Sequence, residues 1–121
     1  MLTTASKEQV SNVMGGVTSA VPSYIAIGTG SQLMESGVTA LVSETDRNAL
    51  SQVDVSVNNE VTYIADFSAN EISGTTLTEF GLFNASTGPT LYDYNVIGSV
   101  EFSGNRELQI QMTHRYSLSG A

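Results

Sequence analysis

From Gln52 onward the chain alternates between apolar and polar positions. Val53, Val55 and Val57 take turns with Gln52, Asp54 and Ser56, and Val61, Tyr63, Ala65 and Phe67 follow with mostly polar neighbours. A period of two marks half-buried strands. Asn58-Asn59 between the two runs predicts a hairpin, because Asn tolerates positive φ. A two-residue loop would set Val57 opposite Glu60 and put the two apolar sets on opposite faces. A three-residue loop pairs Val57 with Val61, Val55 with Tyr63 and Val53 with Ala65, uniting both sets on an inward face. Since a one-residue slip moves every side chain to the other side, the three-residue loop is expected.

Further strands are predicted over Leu77 to Asn84, Thr90 to Tyr94, Ile97 to Phe102, and Arg106 to Leu118. Gly81 inside the first of these predicts a bulge or a close backbone approach. In the last, Leu108, Ile110, Met112, His114, Tyr116 and Leu118 share one face. Ahead of these, Ser23 to Ile27 is a short apolar run ended by Gly28-Thr29-Gly30, as in a buried strand. Residues 31 to 50 lack a strong period and read as a long connection, with a helical turn expected near Leu41 to Leu50.

Only Thr4 to Met14 reads as a helix. Ser6 and Gln9 fit a capping box, Val10, Val13 and Met14 fall close to one face, and Gly15-Gly16 supplies the stop. Short strands with regular turns and no alternating helices predict a mainly β fold. The expectation is an antiparallel β-sandwich, or a flattened barrel, with one short N-terminal helix. No linker or repeat divides the chain: 1–121 is one domain, with 1–16 as a helical arm.

Composition narrows the function classes. Charged residues make up 13% of the 121 positions, against about 25% in a typical soluble domain. Ser, Thr, Asn and Gly replace them, which suits sheet and assembly contacts. Twelve acidic residues against four basic ones give a net charge of −8. Lys7, Arg47, Arg106 and Arg115 are scattered, so no phosphate-binding surface and no direct nucleic-acid contact is expected. No cysteine is present, which removes disulfides and thiolate metal sites. The opening residues show neither a basic start nor an apolar run, and no stretch approaches the roughly 18 apolar residues that span a bilayer. Neither an export signal nor membrane insertion is expected.

No constellation for chemistry stands out. His114, the single histidine, falls on the apolar set of the last strand and is expected to pack in the core or at an interface. Gly28-Thr29-Gly30-Ser31 lacks the third glycine of a dinucleotide loop and the lysine of a phosphate loop, so it reads as a turn. Glu44, Asp46 and Arg47 form a charged knot without the spacing of a calcium loop, and a local ion pair or an inter-subunit contact is expected. Phe80 and Phe83 bracket Gly81, and Tyr92 and Tyr94 are expected to share a strand face. Such a pair fits core packing, or glycan binding if exposed. No catalytic residue, metal ligand or cofactor site is expected.

Two segments carry a family resemblance. Tyr24 to Gly30 (Y-I-A-I-G-T-G) and Leu77 to Ala85 (L-T-E-F-G-L-F-N-A) resemble the Y-I-A-[IL]-G-T-G and I-x-E-[IV]-G-L-F-N-A segments of small tailed-phage virion proteins of the tail-fibre or baseplate-associated type. Leu41 to Arg47 is similar to that family's acidic-then-Arg connection, and Val61 to Phe67 to its V-T-Y-x-A-x-F strand. The last strand is similar as well, although the family's Trp is replaced here. The resemblance spans roughly residues 20 to 118.

It implies assembly into a virion without fixing the location, and the leading expectation is a non-enzymatic protein of the tail, baseplate or fibre-attachment region, assembled in the host cytoplasm. Its partners would be itself, as a homo-oligomer with a trimer favoured, and other virion proteins. A capsid decoration or vertex protein is the alternative. A glycan-binding sandwich reading host surfaces through Tyr92 and Tyr94 is a second. Arg47 and Glu79 are the expected polar contacts between elements or subunits, with a buried Glu79–Arg47 pair as one form of them.

Overall fold

The computed structural model describes residues 2–16, 21–35, 37–57, 59–86 and 90–115. After helix α1 (Thr4–Met14), the strands are β1 (Tyr24–Gly28), β2 (Glu44–Ala49), β3 (Gln52–Asp54) and β4 (Glu60–Phe67). A short helix, α2 (Ala69–Ile72), leads to β5 (Thr76–Phe83), β6 (Leu91–Glu101) and β7 (Leu108–Arg115). They form two antiparallel sheets, one in the order β2-β1-β5-β6 and one in the order β3-β4-β7. The fold is mainly β and sandwich-like, and it is not a closed barrel.

The layers are visible in the alternation of burial. Ile25, Ile27, Leu82 and Tyr92 of the four-stranded sheet meet Tyr63, Ala65, Phe67, Ile110 and Met112 of the three-stranded sheet. Burial of each large apolar side chain contributes roughly 1.5–3 kcal/mol, so this layer dominates stability. The four-stranded sheet has a second apolar surface on its outer face. There Ala26, Phe83, Leu91 and Tyr94 pack under Leu41 and Val38 of the connection between β1 and β2. That connection is a cover for the sheet. At Leu50 and Ser51 the chain changes layers: Leu50 N–H donates to Ser23 O at 2.9 Å, and Ser51 N–H donates to Ile64 O at 2.8 Å.

Helix α1 has the expected bounds but a different cap. Thr3 Oγ1, rather than the side chain of Ser6, accepts the Ser6 N–H at 3.3 Å and donates to the Leu91 carbonyl. Thr3 N–H donates to Tyr92 O at 3.0 Å, so the start of the helix is tied to β6 of the same chain.

Four further expectations change. The helical turn near 41–50 is instead strand β2, whose sequence Glu-Thr-Asp-Arg-Asn-Ala has no apolar face because it lies at a sheet edge. The strands expected at 90–94 and 97–102 are one strand, β6, and Phe102 lies just past its end.

The β3–β4 hairpin pairs Val53 with Tyr63, not Ala65. Asp54 Oδ1 accepts the Ser56 N–H at 2.9 Å, a local turn that ends β3 early and leaves 55–59 as the connection. The two-residue difference preserves the face on which Val53 lies. Even so, Val53, Val55 and Val57 are exposed rather than packed inward.

Of the two alternatives expected for Gly81, the close approach is the one found, and not the bulge. A Cβ there would lie 2.6 Å from Leu91 Cδ1 and 3.0 Å from Asp93 O, while the irregularities of β5 fall between Leu77 and Glu79 and between Leu82 and Phe83. In β7, Ile110, Met112 and His114 are buried on one face as expected. The positions of Tyr116 and Leu118 lie outside the described residues.

Candidate functional site

The outer face of the four-stranded sheet holds a carboxylate with no solvent contact. Glu79 stands on β5 opposite Gly28 of β1 and is 0% exposed. Its Oε1 accepts the Val42 N–H at 2.9 Å and the Tyr94 hydroxyl at 2.7 Å. Its Oε2 accepts the Ser43 N–H at 2.8 Å and the Gly30 N–H at 3.1 Å. Thr78 beside it donates through Oγ1 to Gly30 O at 2.6 Å. Both ends of the β1–β2 connection are thereby fastened to one side chain.

Two glycines make room for this arrangement. A Cβ at Gly28 would lie 2.5 Å from Glu79 Oε2 and 2.6 Å from Ser43 O, and a Cβ at Gly30 would lie 2.6 Å from Val42 Cβ. The Gly-Thr-Gly that ends β1 is the turn expected from sequence, and its backbone also serves as part of an internal anion cradle.

Burial alone would push the Glu79 carboxyl up. The N–H groups of Ser43, Val42 and Gly30 and the Tyr94 hydroxyl outweigh it and hold the group below the usual carboxylate range. Burial and the adjacent carboxylate push the Tyr94 phenol up to about 12. Glu79 is thus a charged anchor whose two oxygens are filled by four donors, with no opening toward a substrate. It orders a cover; the geometry gives it no proton to exchange.

The expected Glu79–Arg47 pair does not form. Arg47 on β2 donates through Nε and Nη2 to Glu44 at 3.0 and 2.7 Å, and through Nη1 to Ala85 O at 3.0 Å. Its guanidinium stacks 3.7 Å above the centre of the Phe83 ring. The charged knot at 44–47 is a local ion pair, and Arg47 ties β2 to the end of β5. Phe83 belongs to the outer face under that guanidinium, whereas Phe80 packs against the inner core.

Tyr92 and Tyr94 do not share a face. The irregularity opposite Leu82 and Phe83 sends Tyr92 into the inner core and Tyr94 into the outer cluster. Both are buried, so neither offers a ring to a glycan.

His114 is packed, as expected, and it has a partner. Its Nε2 lies 2.9 Å from Asp93 Oδ2, with both residues under 10% exposed. The imidazole meets Tyr63 edge-on, at 5.2 Å between ring centres. This contact joins β7 of one sheet to β6 of the other. Burial raises the Asp93 carboxyl, but the hydrogen bond from His114 helps bring it below its ordinary value.

Asp93, the link from the Tyr94 hydroxyl to Glu79 and the donors at 42–43 were missed in the sequence, because their partners lie far away along the chain. An acid within the otherwise mostly apolar β5 was the available sign for Glu79's burial. A second acidic contact was also missed. The backbone N–H of Ser68, then Asn48 and Asp46, bring Glu71 down to about 2, whereas burial and Glu71 push Asp46 up. Ser68 three residues before Glu71 is the capping-box spacing that could have revealed it.

Among the described residues, no group of three or more His, Asp or Glu side chains is arranged to hold a metal ion. No described helix is long and apolar enough to cross a membrane. No protein-family model matches the chain, and no curated protein or solved structure is significantly similar to it.

Proposed function

We propose that the chain is a non-enzymatic structural subunit of a tailed-phage virion, built into the tail, baseplate or fibre-attachment region as a homo-oligomer, with a trimer favoured. One observation carries this reading beyond the resemblance itself. The two segments most similar to the phage family, Tyr24 to Gly30 and Leu77 to Ala85, pair as neighbouring strands from Tyr24↔Phe83 to Gly28↔Glu79. They interlock through the Glu79 carboxylate and the Gly30 N–H. The shared residues therefore build one architectural unit, a sheet with a clamped cover.

The outer cover leaves Leu33, Met34 and Val42 exposed, apolar groups of the kind that assembly contacts use. Immunogold electron microscopy of particles from the virus that encodes the chain tests the location. Label at the tail end is the expected result. Label over the capsid surface would move the subunit to a decoration role, and unlabelled particles would remove it from the virion.

A further inference from the structure

The three-stranded sheet ends at β3 on one side and at β7 on the other, with no further strand beside either among the described residues. Next to the β3 edge lies a groove of about 450 Å³ walled by Val10 and Met14 of α1, Val21 and Pro22, and Val53 of β3. Val61 and Tyr63 form its floor, and no ionised side chain lines it. The chain then runs on from β3 through two more exposed valines, Val55 and Val57.

Natural sheets protect such an edge with lysine, proline or a covering segment. Here β3 carries Gln52, Val53 and Asp54 with no lysine or proline, and α1 lines the groove with Gln9, Val10 and Met14. We infer that this groove and the β3 edge are the seat of a second copy of the same chain. The inference rests on the homo-oligomer reading proposed above and names the surface that reading requires.

Area and charge identify the occupant. A standard interface takes about 800 Å² from each partner, roughly 65% of it apolar between like subunits, which is on the order of 500 Å². Met14 is 83% exposed, Val55 67%, Val21 60%, Val57 52%, Val53 48% and Val10 38%. The four that line the groove, Met14, Val21, Val53 and Val10, offer on the order of 400 Å² of apolar surface, and Val55 and Val57 extend it along the chain past β3. A chain of net charge −8 repels its own copies over most of its surface. A groove lined without a carboxylate is where two copies approach at least electrostatic cost.

Sedimentation of the full chain, with Met14→Glu and Val55→Asp as variants, tests this. Both positions are largely exposed, so neither change empties the core. The wild type should sediment as an oligomer at micromolar concentration, and both variants at the monomer mass of 12.8 kDa with unchanged far-UV circular dichroism. If Val55→Asp alters the dichroism, Met14→Glu decides. Variants that stay oligomeric alongside an oligomeric wild type would overturn this interface and leave the homo-oligomer reading standing. A monomeric wild type would sink both. A monomeric wild type whose Met14→Glu variant fails to enter particles would assign the groove to another virion protein.

Discussion

Glu79 shows how much one side chain can organise when it is buried with its donors. Gln at this position keeps the shape but turns one acceptor oxygen into an amide that faces N–H groups. Glu79→Gln should cost about 2–3 kcal/mol in urea denaturation. A change within about 0.5 kcal/mol of wild type would show that the clamp is not stabilising.

The pH dependence has two opposite arms. Folding lowers the Glu79 pKa, so its contribution is complete above the ordinary carboxylate range and is lost as pH falls through the lowered value. Folding raises Tyr94 from 10.0 to about 12, so its contribution is complete below the lower figure and is lost as pH rises through the upper one. Tyr94→Phe should therefore be less stable than wild type near neutrality by about 1 kcal/mol. That gap should shrink as the pH is raised from about 9 toward about 12. A gap that stays constant over this range would contradict the assignment. Gly28, Gly30 and Glu79 all stood out in the sequence, but their meeting did not. Their contact depends on strand pairing and on backbone donors, which no residue pattern records.

Among the elements, the sequence was clearest where one face is buried and the other is wet. Strand β7 alternates strictly, and its buried Ile110, Met112 and His114 were all legible. Strand β2 was not, because an edge strand of Glu, Thr, Asp, Arg and Asn carries no apolar period; it is held by pairing with β1 and by Arg47 stacked on Phe83. Strand β6 runs unbroken through Asn95 and Val96, which lie between the two strands expected from the sequence, and it changes faces near its start. The hairpin register was displaced by a local competitor, the Asp54 side chain, that pattern counting does not weigh.

The contact that ties the two sheets, His114 to Asp93, was half visible: the histidine was expected in the core or at an interface, without its partner. His114→Phe would keep a ring against Tyr63 while leaving the Asp93 carboxylate without that hydrogen bond. It should cost about 2 kcal/mol. A double-mutant cycle with Asp93→Asn should return a coupling of about 1 kcal/mol or more, and strict additivity would refute the link.

The whole molecule is a two-layer sandwich with a third, partial layer. The β1–β2 connection is clamped over one outer face, and an uncovered apolar groove opens beside α1 and β3. The mainly β fold and its N-terminal helix were legible from periodicity alone. The groove was not, because Val53 and Val61, which line it, read as inward-facing, and the placement of α1 and the early end of β3 set them at its wall and floor. A clamped face and an open one, on a surface poor in charge, suit a subunit that repeats by symmetry around an axis.

Quantitative mass spectrometry of purified particles, reporting copies of this chain relative to the major capsid protein, tests the structural-subunit reading most directly. The account predicts a low copy number that is a small multiple of three, as symmetry around a tail axis requires. Particles that lack the chain altogether would contradict it.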